Sequence, residues 1–178
     1  MEDKNISEKL KLSEQRFNVA TEIGGIGIWE LNLEDDTSFR NLMHDKIFGY
    51  KEAVEDWGEQ KALKHVIPDD QLIFKEAFSN AIKTNRLFFE VRVMWPDNTL
   101  HWISANGKVI RDNNNKPIKM IGVVTDVTDR KNVEIKLNDV NERLEKINRL
   151  MTGRELKMIE LKAEIADLKK DTSKSLPK

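Results

Sequence analysis

The sequence predicts an α+β fold: a five-stranded antiparallel sheet with helices on one face, plus a long C-terminal coiled-coil helix. Three observations lead there. Residues 88–128 hold three strand-like segments, FFEVRVMW, LHWISANGKVI and IKMIGVVTDVT, parted by the turn signals Pro96-Asp97-Asn98 and Asn113-Asn114-Asn115-Lys116-Pro117. Two shorter strands upstream are joined by the acidic turn Glu34-Asp35-Asp36. From Val133 onward, apolar residues recur at alternating spacings of four and three among residues of both charges.

A length of 178 residues accommodates one core-forming domain and an appendage. The net charge is −1 with both signs intermixed, so neither nucleic acid nor a membrane surface is expected as a partner. The absence of cysteine excludes disulfides, thiolate metal sites, cysteine nucleophiles and thiol photochemistry. No apolar stretch nears the roughly 18 residues of a membrane span, and MEDKNISEKL lacks the core of a signal peptide. The expected location is the cytoplasm.

In chain order, Ile6, Leu10, Phe17 and Ala20 mark an N-terminal amphipathic helix over residues 1–22, with Ser13 placed to cap a fresh turn. Gly24, Gly25 and Gly27 end it. Ile26 to Leu33 then reads as a strand with Trp29, Leu31 and Leu33 on one face, and Thr37 to Asn41 as its short partner. Met43, Ile47 and Phe48 fit a short helix closed by Gly49, and Ala62, Leu63 and Val66 another turn. Ile67-Pro68-Asp69-Asp70 signals the start of a longer helix carrying Leu72, Phe74, Ala77, Phe78, Ala81 and Ile82. Strands, a helical crossover and three more strands pack most simply as one sheet with the helices on one side.

The last segment, residues 129–170, is a coiled-coil pattern. Val133, Leu137, Val140, Leu144, Ile147 and Met151 form the expected seam of a homodimer, and the register continues through Arg154, Met158, Leu161, Ile165 and Leu168. Arg154 at a core position, just after Gly153, implies either a break there or a tolerated polar residue; a continuous or mildly kinked helix is favoured. Residues 171–178 read as a disordered tail.

Several motifs carry a family resemblance. Gly27-Ile28-Trp29-Glu30-Leu31, Ile47-Phe48-Gly49-Tyr50, Val66-Ile67-Pro68-Asp69-Asp70, Phe89-Glu90-Val91-Arg92 with Asp97-Asn98-Thr99-Leu100-His101-Trp102, and Ile121-Gly122-Val123-Val124-Thr125-Asp126-Val127-Thr128 occur in that order. Together they resemble a PAS domain with its C-terminal PAC region, placed at residues 23–128. Asn98 stands where the family usually has glycine. The resemblance implies a sensory and dimerising module, not an enzyme, with a small pocket between sheet and helices. Trp29, Asn41, Phe48, Phe78, Val91, Trp102, Ile121 and Val123 are the pocket candidates.

Cofactor chemistry is narrowed further. His44, His65 and His101 lie off the predicted long helix, where haem-binding relatives place their axial ligand, and no pair has the spacing of a helical metal site. They read as surface or packing residues, and no metal is expected. The light-sensing relatives need a cysteine that this chain lacks, so cysteine-linked flavin is also disfavoured; non-covalent flavin stays open, with Asn41 as a weak lead. The acidic pairs Asp35-Asp36 and Asp69-Asp70 read as turn and helix-start chemistry rather than acid–base dyads.

Asp126, Val127 and Thr128 stand where strand becomes helix. Thr128 is placed to cap the helix, and Asp126 to pair with a cation such as Arg92 or Lys108. The expected function is relay of ligand or partner binding through the coiled coil in a two-component-type pathway, with a signalling protein such as a histidine kinase as a further partner. The alternatives are an N-terminal fragment of a sensor histidine kinase and a ligand-free assembly scaffold.

Overall fold

The computed structural model describes residues 2–174, with side chains for residues 8–163 and 165. The chain divides into two compact units, Met1–Asp129 and Arg130–Lys178. The first contains α1 (Glu2–Ile23), β1 (Ile26–Asn32), β2 (Ser38–Arg40), α2 (Leu42–Ile47), α3 (Glu59–His65), a 3₁₀ turn at Pro68–Asp70, α4 (Gln71–Thr84), β3 (Arg86–Met94), β4 (Leu100–Arg111) and β5 (Pro117–Asp126). Helix α5 (Thr128–Lys174) begins in the first unit and makes up the described part of the second.

The five strands form one antiparallel sheet in the order β2-β1-β5-β4-β3. Two hairpins account for β3-β4-β5, because Asn98 and Asn115 take the left-handed conformation their tight turns need (φ 65° and 66°). The segment α2–α4 carries the chain from the β2 edge to the β3 edge. Two-residue alternation then decides burial. On β3, Leu87, Phe89, Val91 and Val93 are buried while Phe88 and Met94 face outward.

The inner face and the helices share a core that includes Phe48, Trp57, Phe74, Phe89, Ile103, Met120 and Val124. Burial of such a side chain contributes about 1.5–3 kcal/mol. Trp29 requires a particular floor. Gly107 and Gly122 are paired across β4 and β5, and Gly122 pairs with Trp29 itself. A Cβ on Gly122 would sit 2.4 Å from the Trp29 ring, and one on Gly107 2.9 Å from it. The indole therefore lies flat over backbone that only glycine leaves bare.

Several expectations need correction. Helix α1 runs unbroken through Ser13, so the serine starts no new turn; the helical bonds of the backbone already satisfy the amides it was placed to cap. Val66 is not helical; it forms a bridge to Val93. Helix α5 passes through Gly153 without a break, as favoured, but reaches Lys174, into the predicted tail. Residues 175–178 of that tail lie outside the described residues, as do the side chains of Ile6 and Leu168. Among the described residues, no helix is long and apolar enough to cross a membrane.

Candidate functional site

Two places combine unusual geometry with polar chemistry. The first is the joint at which β5 becomes α5. Strand β4 pairs with β5 as far as Ile103 opposite Asp126. One residue further, Val127 N–H donates to Trp102 C=O (2.8 Å). The Trp102 N–H would have no carbonyl opposite it, because the chain has turned into the helix. It donates instead to Thr128 Oγ1 (2.9 Å). The hydroxyl thus extends the sheet ladder by one bond, from the first residue of α5.

This changes the expected roles. Thr128 does not cap the helix. The Asp126 carboxylate does so, accepting from Thr128 N–H at Oδ1 (2.7 Å). Its other oxygen meets His101 Nδ1 (3.0 Å), so the partner of Asp126 is His101 and neither Arg92 nor Lys108. His101 lies flat against Trp95, with ring centroids 3.5 Å apart and an interplanar angle of 4°, and its Nε2 meets Thr99 Oγ1 (3.1 Å). A side-chain chain therefore runs from the β3–β4 turn to the base of the helix. The sequence contained the signal, since His101 is one residue from Trp102, but cross-strand register was needed to read it.

The second place is a cavity of about 50 Å³ between the sheet's inner face and the helices. Aromatic and aliphatic side chains make most of its wall: Trp29 and Leu31 from β1, Phe48, Trp57, Phe74 and Phe78 from the helical side, Phe89, Ile103, Ala105 and Val124 from the sheet. Its polar members are Ser38, His44 and Glu59. Ser38 Oγ donates to Trp57 C=O (2.8 Å). Burial, followed by the nearby charge of Asp36, pushes the Glu59 carboxyl above its usual range. Asp36 itself accepts the Glu59 amide (2.7 Å), capping α3 across the β1–β2 turn where Gly58 has no side chain to do so.

His44 is held in the cavity wall by a buried ion network. The residue is 4% exposed and its ring packs against Phe48 and Trp57. His44 Nδ1 meets Asp45 Oδ1 (3.1 Å), which also accepts from Arg40 Nε, while Asp45 Oδ2 accepts from Val54 N–H (3.0 Å). Burial holds the His44 pKa below the usual imidazole range, outweighing the raising effect of Asp45. Burial works to raise the Asp45 carboxyl, but the hydrogen bonds from His44 and Arg40 leave it lowered. A neutral ring beside an acceptor-only carboxylate carries its proton on Nδ1.

A family model described as the PAS fold matches residues 41–124. Residues 41–124 are a PAS-fold domain. A sensory box histidine kinase/response regulator structure from Burkholderia thailandensis is similar, at 26% identity and a TM-score of 0.64, over 74% of this chain and 98% of that one. A PAS/PAC-containing N-terminal domain of a diguanylate cyclase from Marinobacter aquaeolei shares the fold at 16% identity and a TM-score of 0.54, over 60% and 98%. A domain of a light and redox sensing histidine kinase from Haloarcula marismortui does so at 19% and 0.53, over 64% and 99%. No curated protein matches this chain.

The eight pocket candidates separate. Trp29, Phe48 and Phe78 line the cavity. Val91 is fully buried in the core but is not in the cavity wall. Asn41 is the N-cap of α2, accepting from His44 N–H and Ile28 N–H and donating to Ile26 C=O. Trp102, Ile121 and Val123 face the other side of the sheet, where Arg92 lies over the Trp102 ring at 5.5 Å. The error has one cause: on β4 and β5 the face turned inward is the one that carries Gly107 and Gly122, which an apolar-alternation count does not favour.

The cavity is small for a non-covalent flavin. Ligands of that class occupy pockets of roughly 300–1,000 Å³, against about 50 Å³ here. Asp70 departs from the helix-start expectation. It is 5% exposed and makes no capping bond. Its carboxylate accepts from Arg92 three times, from the backbone N–H (2.8 Å), Nε (3.0 Å) and Nη2 (2.7 Å), fastening the start of α4 to β3.

Proposed function

We propose that this chain is a sensory and dimerisation module without catalysis of its own, which relays the state of its PAS domain through α5 in a two-component-type signalling pathway. One observation carries the reading: the sheet ladder ends on the hydroxyl of the first residue of α5, so that β4 and the helix share a hydrogen bond. A change in the pitch of β4 is then transmitted to the helix base through a bond of fixed length. Ligand or partner binding acts by population shift, limited to its differential affinity for the two states.

The seam Val133, Leu137, Val140, Leu144, Ile147 and Met151 is the surface through which two copies pair. These side chains are exposed in the single chain, Val133 by 66% and Leu137 by 58%, and a heptad of apolar residues is stable in water only when covered. The outer face of the sheet supports the same reading, because Phe39, Phe88 and Ile121 are exposed there. A cytoplasmic location and a histidine kinase as the receiver agree with it, as does similarity to a sensory box kinase.

The cysteine-free background makes the test direct. Single cysteines replacing Leu137, Val140 or Leu144 should cross-link readily between copies, and those replacing Asn138 or Glu142 poorly. A flat profile, or a monomer at micromolar concentration by light scattering, would remove the pairing from the account.

A further inference from the structure

The cavity has one feature that the relay reading does not use. His44 Nδ1 is committed to Asp45, but Nε2 has no hydrogen-bond partner among the described residues. Among the described residues no side-chain nitrogen or oxygen that is sealed from contact lacks a partner, so Nε2 keeps an opening, and His44 is a wall residue of the cavity. A buried, neutral imidazole with its proton on Nδ1 presents a lone pair there. An acceptor left unpaired among apolar walls is destabilising, because it has given up its water without a replacement. A ligand that donates one hydrogen bond relieves that cost.

Size and wall chemistry narrow the class. One water requires roughly 10–15 Å³ of cavity measured this way, so about 50 Å³ holds a molecule of roughly three to five heavy atoms. Trp29, Phe48, Trp57 and Phe89 supply flat apolar walls, which suit a small, flat or short-chain body. The other polar wall groups are either engaged, as Ser38 is with Trp57 C=O, or placed on the α3 side, as Glu59 is.

We infer that this PAS domain takes a compact, mainly apolar molecule of about five heavy atoms or fewer bearing one hydrogen-bond donor, which it orients by donation to His44 Nε2. The inference rests on the sensory reading above but is tested separately from it. Arg40 and Asp45 act as positioning residues: Arg40 holds the Asp45 carboxylate and Asp45 holds His44 Nδ1, which leaves Nε2 as the acceptor of the ring.

Pyrrole and furan provide the test, because they share size and shape while only pyrrole has an N–H. Titrated into the full chain, pyrrole should bind about tenfold more tightly than furan, the value of one hydrogen bond to a lone buried acceptor. The chain has three histidines, so ring-nitrogen NMR spectra resolve His44, and its Nε2 resonance should move with pyrrole and not with furan. In His44→Phe, which keeps an aromatic wall, the preference should fall below about twofold while both ligands still bind. Equal affinity of the two in the wild-type chain, an unmoved Nε2 resonance, or binding of neither would overturn the inference; the NMR result stands even if the variant misfolds. The cross-linking profile of α5 is read independently, so loss of ligand selectivity with an intact seam condemns only the ligand class.

Discussion

Asp70 and Asp126 stand at the bases of the two longest helices that follow strands or turns in the first unit, yet they are built differently. Asp70 is nearly inaccessible and its three bonds all go to one residue, Arg92, whose backbone and side chain it holds together. The Asp126 side chain is 33% exposed and divides its two oxygens between a helix amide and a histidine from a neighbouring strand. The first arrangement locks a helix to a sheet. The second positions a helix against a sheet by single, separately breakable bonds. That difference separates an anchor from a joint.

The contrast can be broken at its stronger end first. Asp70→Asn keeps the shape but loses the charge that Arg92 neutralises, and should cost about 2 kcal/mol of stability by urea denaturation. A loss no greater than that of a surface substitution would mean that Asp70 is not an anchor. The pH dependence follows from the same pair. The hydrogen bonds from Arg92 depress the Asp70 pKa, so the group's contribution is complete above the ordinary carboxylate value of about 3.9 and disappears as pH falls through the lower folded value. Asp45 is also depressed and acts in the same direction. Below about pH 4 the wild-type chain should therefore lose stability more steeply than Asp70→Asn, which retains the parts of Asp45, Asp35 and Asp97 but not that of Asp70. Parallel curves would contradict the assignment.

At the weaker end, Asp126→Ala and His101→Ala should each change stability by less than about 1 kcal/mol, as expected of a partly exposed pair. Their effect should appear instead in the first turn of α5, as faster amide exchange over residues 128–131. A large loss of global stability in either variant would make the joint a second anchor and erase the comparison.

Different parts of this arrangement were legible in the sequence to different degrees, for physical reasons. Strand alternation, the asparagine turns and the heptads are local patterns, and each fixed its element to within a few residues. Asp70 was read as helix-start chemistry because Pro68-Asp69-Asp70 is such a signal, and a partner 22 residues away, on β3, is invisible to it. Thr128 was read as a cap for the same reason: hydroxyls at helix starts usually cap, unless a strand amide beside them lacks a carbonyl. The pocket residues on β5 were assigned to the wrong face because Gly122, opposite Trp29, looks like a gap in an apolar pattern when it is the floor beneath an indole. His44 and Asp45 are adjacent in sequence, yet only packing against Phe48 and Trp57 makes the pair buried.

The shared bond between Trp102 and Thr128 is the most direct place to test the joint. Thr128→Ser retains the hydroxyl and Thr128→Val removes it with little change of shape, and both can be placed in the single-cysteine series along α5. The serine variant should preserve protection of the Trp102 amide and the wild-type cross-linking profile, while the valine variant should lose both with the fold intact by circular dichroism. Loss of Trp102 protection with an unchanged profile would show that the bond is local and that the helix takes no instruction from β4.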